Sequence, residues 1–140
     1  MSKVLAPAVC LGFVALALWH FYMALRPHGE GAVPSVSGRP LFVPSHRATT
    51  AVGIVLVLFA GLVAATAGLV AIGLPRTVLS WLSYALALGL LLRAVGDFRC
   101  VGFFKRVHGT KFATLDTFVY SPLCLLLAAG VALVACHHRS

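Results

Sequence analysis

LLRAVGDFRCVGFFKRVHGTKFATLDTFVYSPLC, residues 91–124, joins the end of one apolar run to the start of the next. It carries both aspartates of the chain, Asp97 and Asp116, and five of its eleven basic residues: Arg93, Arg99, Lys105, Arg106 and Lys111. On either side lies little but hydrocarbon. Charge at the edge of a run able to cross a bilayer is expensive, so it is usually paired or functional. The stretch therefore marks the meeting of two membrane crossings and the place where the chain's chemistry is concentrated.

Composition sets the solvent. Of 140 residues 61% are hydrophobic and 10% charged, against about 25% charged in a soluble domain. Mean hydropathy is +1.01. The class is an integral membrane protein. The net charge of +8 then reads as topology and contact with anionic lipid. It does not read as nucleic-acid binding, because no basic helix or aromatic RNA-binding motif accompanies it. Cys10, Cys100, Cys124 and Cys136 form no Cys-x-x-Cys pair, so a thiol oxidoreductase would lack its vicinal thiols. Cys10, Cys124 and Cys136 read as small apolar packing residues.

Four runs are long enough to cross, since about 20 apolar residues span the hydrocarbon core. They are expected at 4–25, 51–74, 77–97 and 117–136. The first is long for a signal peptide and shows no small-x-small cleavage site, so it reads as a retained helix. Its Pro7 is expected in the first turn, where the missing N–H costs nothing. The 26–50 connection is rich in Pro and Gly and reads as a loop. In the second run Ala60, Ala64 and Gly68, with Gly61 and Ala65, make rows of small residues that let helix backbones approach. Pro75-Arg76 reads as a tight turn. Trp19 and Tyr22 fit one interfacial belt, Trp81 and Tyr84 the other.

The expected fold is therefore all-α, a single domain over 1–140: an antiparallel bundle of four transmembrane helices. Loops 26–50 and 98–116 then share one side. That side collects seven loop Lys and Arg residues against three on the other, which puts it in the cytoplasm and both termini outside.

Arg93 and Asp97, four apart, share a helix face if the third helix reaches Asp97. The pair is either a structural tether or an anion clamp. His20 is the one histidine inside an expected crossing, either a hydrogen-bonded interface residue or a proton carrier working with Asp97 or Asp116. Asp116 is otherwise a helix cap. VGFFKRVHGTKF, 101–112, threads Phe103, Phe104 and Phe112 among cations, as an interfacial anchor or a head-group reader. A haem would need a second helix histidine and a metal oxygenase a histidine cluster. Cys136-His137-His138 has no distant partner. No metal or other cofactor is expected.

These residues, with Trp19-His20-Phe21-Tyr22 and Gly38-Arg39-Pro40-Leu41-Phe42-Val43-Pro44, carry a resemblance. The chain resembles, over nearly its whole length, a family of small bacterial four-helix membrane proteins catalogued as domain of unknown function 3995. The resemblance is densest over 93–124. It implies a class, an inner-membrane setting and no mechanism. An aromatic often stands in that family at the place of Cys100, which speaks against a redox role for this cysteine.

The reading that follows is a membrane-embedded protein with a polar, basic pocket at the mouth formed by the two same-side loops. It would bind an anionic lipid or isoprenoid-type substrate. His20, Asp97 and Asp116 would be the acid/base groups, and Tyr22, Arg93, Arg99, Lys105, Arg106 and Tyr120 the substrate contacts. Whether binding leads to catalysis is open. The alternative is a non-enzymatic accessory or assembly subunit of a larger membrane complex. Membrane lipids are the expected partners, with a membrane protein or a second copy as further candidates and no nucleic acid.

Overall fold

A computed structural model describes residues 2–26, 35–36, 39–40, 45–96, 103–104, 106 and 114–139. Four long helices dominate: α1 (Ser2–Leu25), α2 (His46–Thr66), α3 (Arg76–Val95) and α4 (Ser121–Arg139). A wide π-helical turn, Asp116–Tyr120, leads into α4. Between α1 and α2 a two-residue ribbon pairs Ser35–Val36 with Arg39–Pro40. All four helical spans are long and apolar enough to cross a membrane.

Exposure fits that solvent. Val4, Leu25, Phe118 and Leu126 are each more than 70% exposed. In water such surface would collapse or aggregate, whereas lipid tails are as apolar as the side chains themselves. The shared interior is small, with Phe13, Val63 and Val131 wholly enclosed.

Helix boundaries depart from the hydropathy expectation for local reasons. α2 begins at His46, not at 51. The Ser45 side chain accepts from the Ala48 N–H at 3.2 Å and satisfies one of the orphan donors of the first turn. Its 21 residues rise about 31 Å, already the thickness of the hydrocarbon core. The helix then stops at Thr66. The Gly68 N–H donates to the Ala65 carbonyl at 3.0 Å and the Leu69 N–H to that of Ala64 at 2.8 Å. Gly68 has φ +71. This is a Schellman stop, which a residue free of Cβ strain completes. Residues 67–75 are therefore a connection and not, as expected, the end of a helix with a tight turn at Pro75-Arg76. Likewise α1 starts at Ser2, which moves Pro7 out of the first turn.

The expected small-residue rows are also redrawn. A Cβ on Gly61 or Gly68 would meet nothing within 4 Å, so neither marks a close approach. The close approaches are elsewhere. A Cβ on Gly53 would lie 2.5 Å from the Phe21 ring, one on Gly130 2.5 Å from Val9 and one on Gly12 3.1 Å from Leu127. The Cys10 thiol reaches the Ala60 carbonyl at 3.5 Å, and Phe13 meets Phe59 edge-on. Contact numbers thus rise along α1 as they fall along α2 and α4.

Each helix end is tied to the next helix start. The His46 Nδ1–H donates to the Ala24 carbonyl, a histidine within a crossing that the sequence reading left out. Thr66 Oγ1 shares a buried hydrogen bond of 2.8 Å with Ser83 Oγ. Arg93 reaches Asp116. α1 packs chiefly on α2, and α3 on α4, with lesser contact between the two pairs.

Candidate functional site

The last of these ties is the site. Pro122 lacks an N–H, and its ring would press on the Phe118 carbonyl in a regular α-helix. The wide turn of Asp116–Tyr120 stands at that place, closed by the Ser121 N–H donating to the Asp116 carbonyl. Such single π turns insert one residue into a helix and are frequent at functional sites. Here the turn accompanies two polar side chains, Asp116 and Ser121, that are both wholly enclosed.

Opposite stands Arg93 in the last turn of α3. Its Nη2 donates to Asp116 Oδ1 at 2.9 Å. The ion pair is one of the interactions that Asp116 makes. The other terminal guanidinium nitrogen, Nη1, is buried and has no hydrogen-bond partner among the described residues, and the same holds for Ser121 Oγ. Buried polar groups are nearly always satisfied, so each exception asks for a reason such as a ligand. Guanidinium is a planar fork matched to carboxylate and phosphate. Asp116 occupies one tine of the fork. Cys124 lies within electrostatic reach of both charges.

The α3 end is closed from the loop side. The Gly96 N–H donates to Leu92 at 2.8 Å, with Gly96 at φ 92, and the Phe103 N–H donates to Ala94 at 2.9 Å. Phe103, Phe104 and Arg106 are exposed beside it. Between α2 and α3 lies an open apolar groove of about 460 Å³, walled by Phe59, Leu62, Leu82, Leu86, Gly89 and Leu90.

Of the residues expected at the site, the structure brings Arg93 and Asp116 together. Asp116 is not the helix cap of the sequence reading: Thr114 and Leu115 before it are already helical. The Arg93–Asp97 pair lies outside the described residues, as do Asp97, Arg99 and Lys105. His20 turns back on its own helix, with Nδ1 2.8 Å from the Leu16 carbonyl. A carbonyl only accepts, so Nδ1 carries a proton and donates. No hydrogen bond joins His20 to Arg93 or Asp116 among the described residues. Tyr22 stacks beside Trp19 and under the Arg26 guanidinium, 4.6 Å from its ring centre. Tyr120 is half-buried in the π turn. Cys136, expected to pack, is exposed. Ser121 was missed. Its only signal is a polar residue five positions after Asp116 and directly before a proline inside an apolar run.

Residues 13–131 match the family model described as Protein of unknown function (DUF3995), and the chain belongs to that family. No curated protein and no solved structure matches it.

Proposed function

We propose that this member of the DUF3995 family is a membrane-embedded binder of an anionic amphiphile, whose head group docks at the α3–α4 junction. One observation carries the reading: Arg93 is pinned to an enclosed carboxylate by one nitrogen while its buried Nη1 has no acceptor among the described residues. Ser121 Oγ is a second buried polar atom without a partner among the described residues, on the facing element.

The Arg93–Asp116 pair is close to neutral, so it locates a head group more than it attracts one. Attraction falls to the segment joining α3 to α4, which by sequence carries Arg99, Lys105, Arg106 and Lys111 and no acid between them. Each cation near an anionic surface is worth about 1 kcal/mol and is screened by salt. The Lys/Arg asymmetry supports an orientation with this mouth on the cytoplasmic face and both termini outside, and we take the setting to be a bacterial inner membrane. Asp116 acts here as a positioning group for Arg93, and an acid/base role would require it to face the guest as well.

The test is the lipid that co-purifies. Wild type and Arg93→Ala are extracted in one mild detergent and their bound lipids measured by mass spectrometry. The reading expects a specific anionic lipid on wild type that Arg93→Ala loses. A stoichiometric protein partner with no selective lipid would instead support the accessory-subunit alternative.

A further inference from the structure

The groove between α2 and α3 is in register with the guanidinium. Leu82, Leu86, Gly89 and Leu90 on its α3 wall precede Arg93 by eleven, seven, four and three residues. Those intervals repeat one helix face, so the wall and Arg93 form a single stripe. Gly89 and Leu90 stand one turn, about 5.4 Å, below the arginine. The opposite wall, Phe59 and Leu62 of α2, is apolar too. The groove thus runs along α3, and its wall lies one turn from Arg93 on the same helix face.

Gly89 shapes its depth. A Cβ there would meet nothing within 4 Å, so no neighbouring backbone demands glycine, and the residue's φ is not in the left-handed region. Glycine inside a helix is less favourable than alanine. What its absent side chain provides is open volume against the α2 wall.

We infer that this groove holds the hydrocarbon chain of the amphiphile whose anionic head docks at Arg93, so that one guest spans both. The inference rests on the head-group reading above. It adds a chain site and a residue, Gly89, that keeps the site open. The head end is supplied by a donor already pinned in place, and the tail end by a wall on the same helix face. A head group with no long chain would leave the groove unused, and a lipid whose head offers no acceptor would leave Nη1 unused.

The experiment uses the full chain in detergent micelles with two named probes, dipalmitoylphosphatidate and dipalmitoylphosphatidylcholine, titrated and read by native mass spectrometry. Wild type should retain the phosphatidate about tenfold better than the phosphatidylcholine. Gly89→Leu, which fills the groove and leaves Arg93 and Asp116 intact, should reduce phosphatidate retention about tenfold without lowering the melting temperature. Gly89→Ala is the control for backbone effects and should behave as wild type. Ala85→Leu, on the same wall, should reproduce the loss if Gly89→Leu does not fold. Arg93→Gln should abolish the preference between the two probes while some retention of both remains. Undiminished phosphatidate retention in folded Gly89→Leu overturns the groove, even where Arg93→Gln still upholds the head site. Loss in Gly89→Leu with an unchanged preference in Arg93→Gln keeps the groove as a chain site and overturns the head-group reading.

Discussion

Asp116 has no exposed surface and holds a guanidinium whose side chain is 37% exposed. Removing the carboxylate strands a cation at the edge of the hydrocarbon and leaves a gap beside it. Breaking a buried pair costs about 3–5 kcal/mol, and the exposure of Arg93 places Asp116→Ala near 3. Thermal unfolding in one detergent should therefore show a large loss for Asp116→Ala and a smaller one for Asp116→Asn, which keeps an acceptor. Ser121 moves the other way. Its hydroxyl is enclosed and unpartnered among the described residues, so Ser121→Ala should raise stability by about 1 kcal/mol while lowering retention of the anionic guest. A stability loss in Ser121→Ala would mean that the hydroxyl is satisfied within the fold. At this scale the sequence was half legible. Arg93 stood out because charge at the edge of a crossing is rare. Its partner did not, because periodicity reports neighbours on one helix, and Asp116 is 23 residues away.

Helices were legible as runs and misplaced as elements. The second run extends over Val70 and Leu74, and hydropathy alone could not see that α2 stops before them. Ser45 and Gly68 decide the boundaries through single hydrogen-bonding groups, which an average over a window dilutes. Small residues misled for a related reason: a small-xxx-small row shows where a helix could be approached, and the neighbour decides where it is. Substitution separates the two. Gly53→Ala drives a methyl into the Phe21 ring and should destabilise by about 1–3 kcal/mol. Gly61→Ala meets nothing and should be neutral or stabilise by about 0.5–1 kcal/mol. Melting temperatures of the two variants, side by side, check the assignment. If Gly61→Ala is the damaging one, α2 packs on a different face.

The whole molecule is a frame that brings α3's last turn to the wide turn before α4 and leaves the α2–α3 seam open. Its class was plain from composition, because 61% apolar residues admit few solvents other than lipid. If the four helices that are long and apolar enough to cross do so in alternating sense, as the sequence leads one to expect, residue 140 and loop 26–50 lie on opposite faces. Reporter fusions at Ser140 and within that loop should accordingly label opposite sides, with the loop cytoplasmic. Labelling of both on one side would remove a crossing.

The central claim is that the free nitrogen of Arg93 meets an anionic head group, and solid-state NMR can observe that contact. Full-length protein with ¹⁵N-labelled arginine side chains is reconstituted in vesicles of phosphatidylcholine with a minor share of phosphatidate. The ¹⁵N–³¹P dipolar coupling is then measured, with Arg93→Lys as the subtraction that identifies the Arg93 resonance. A guanidinium nitrogen of Arg93 should be strongly dephased by phosphorus, and the dephasing should be weaker in vesicles of phosphatidylcholine alone, whose phosphate is offset by its choline charge. An Arg93 signal that no phosphorus dephases in either membrane would contradict the account.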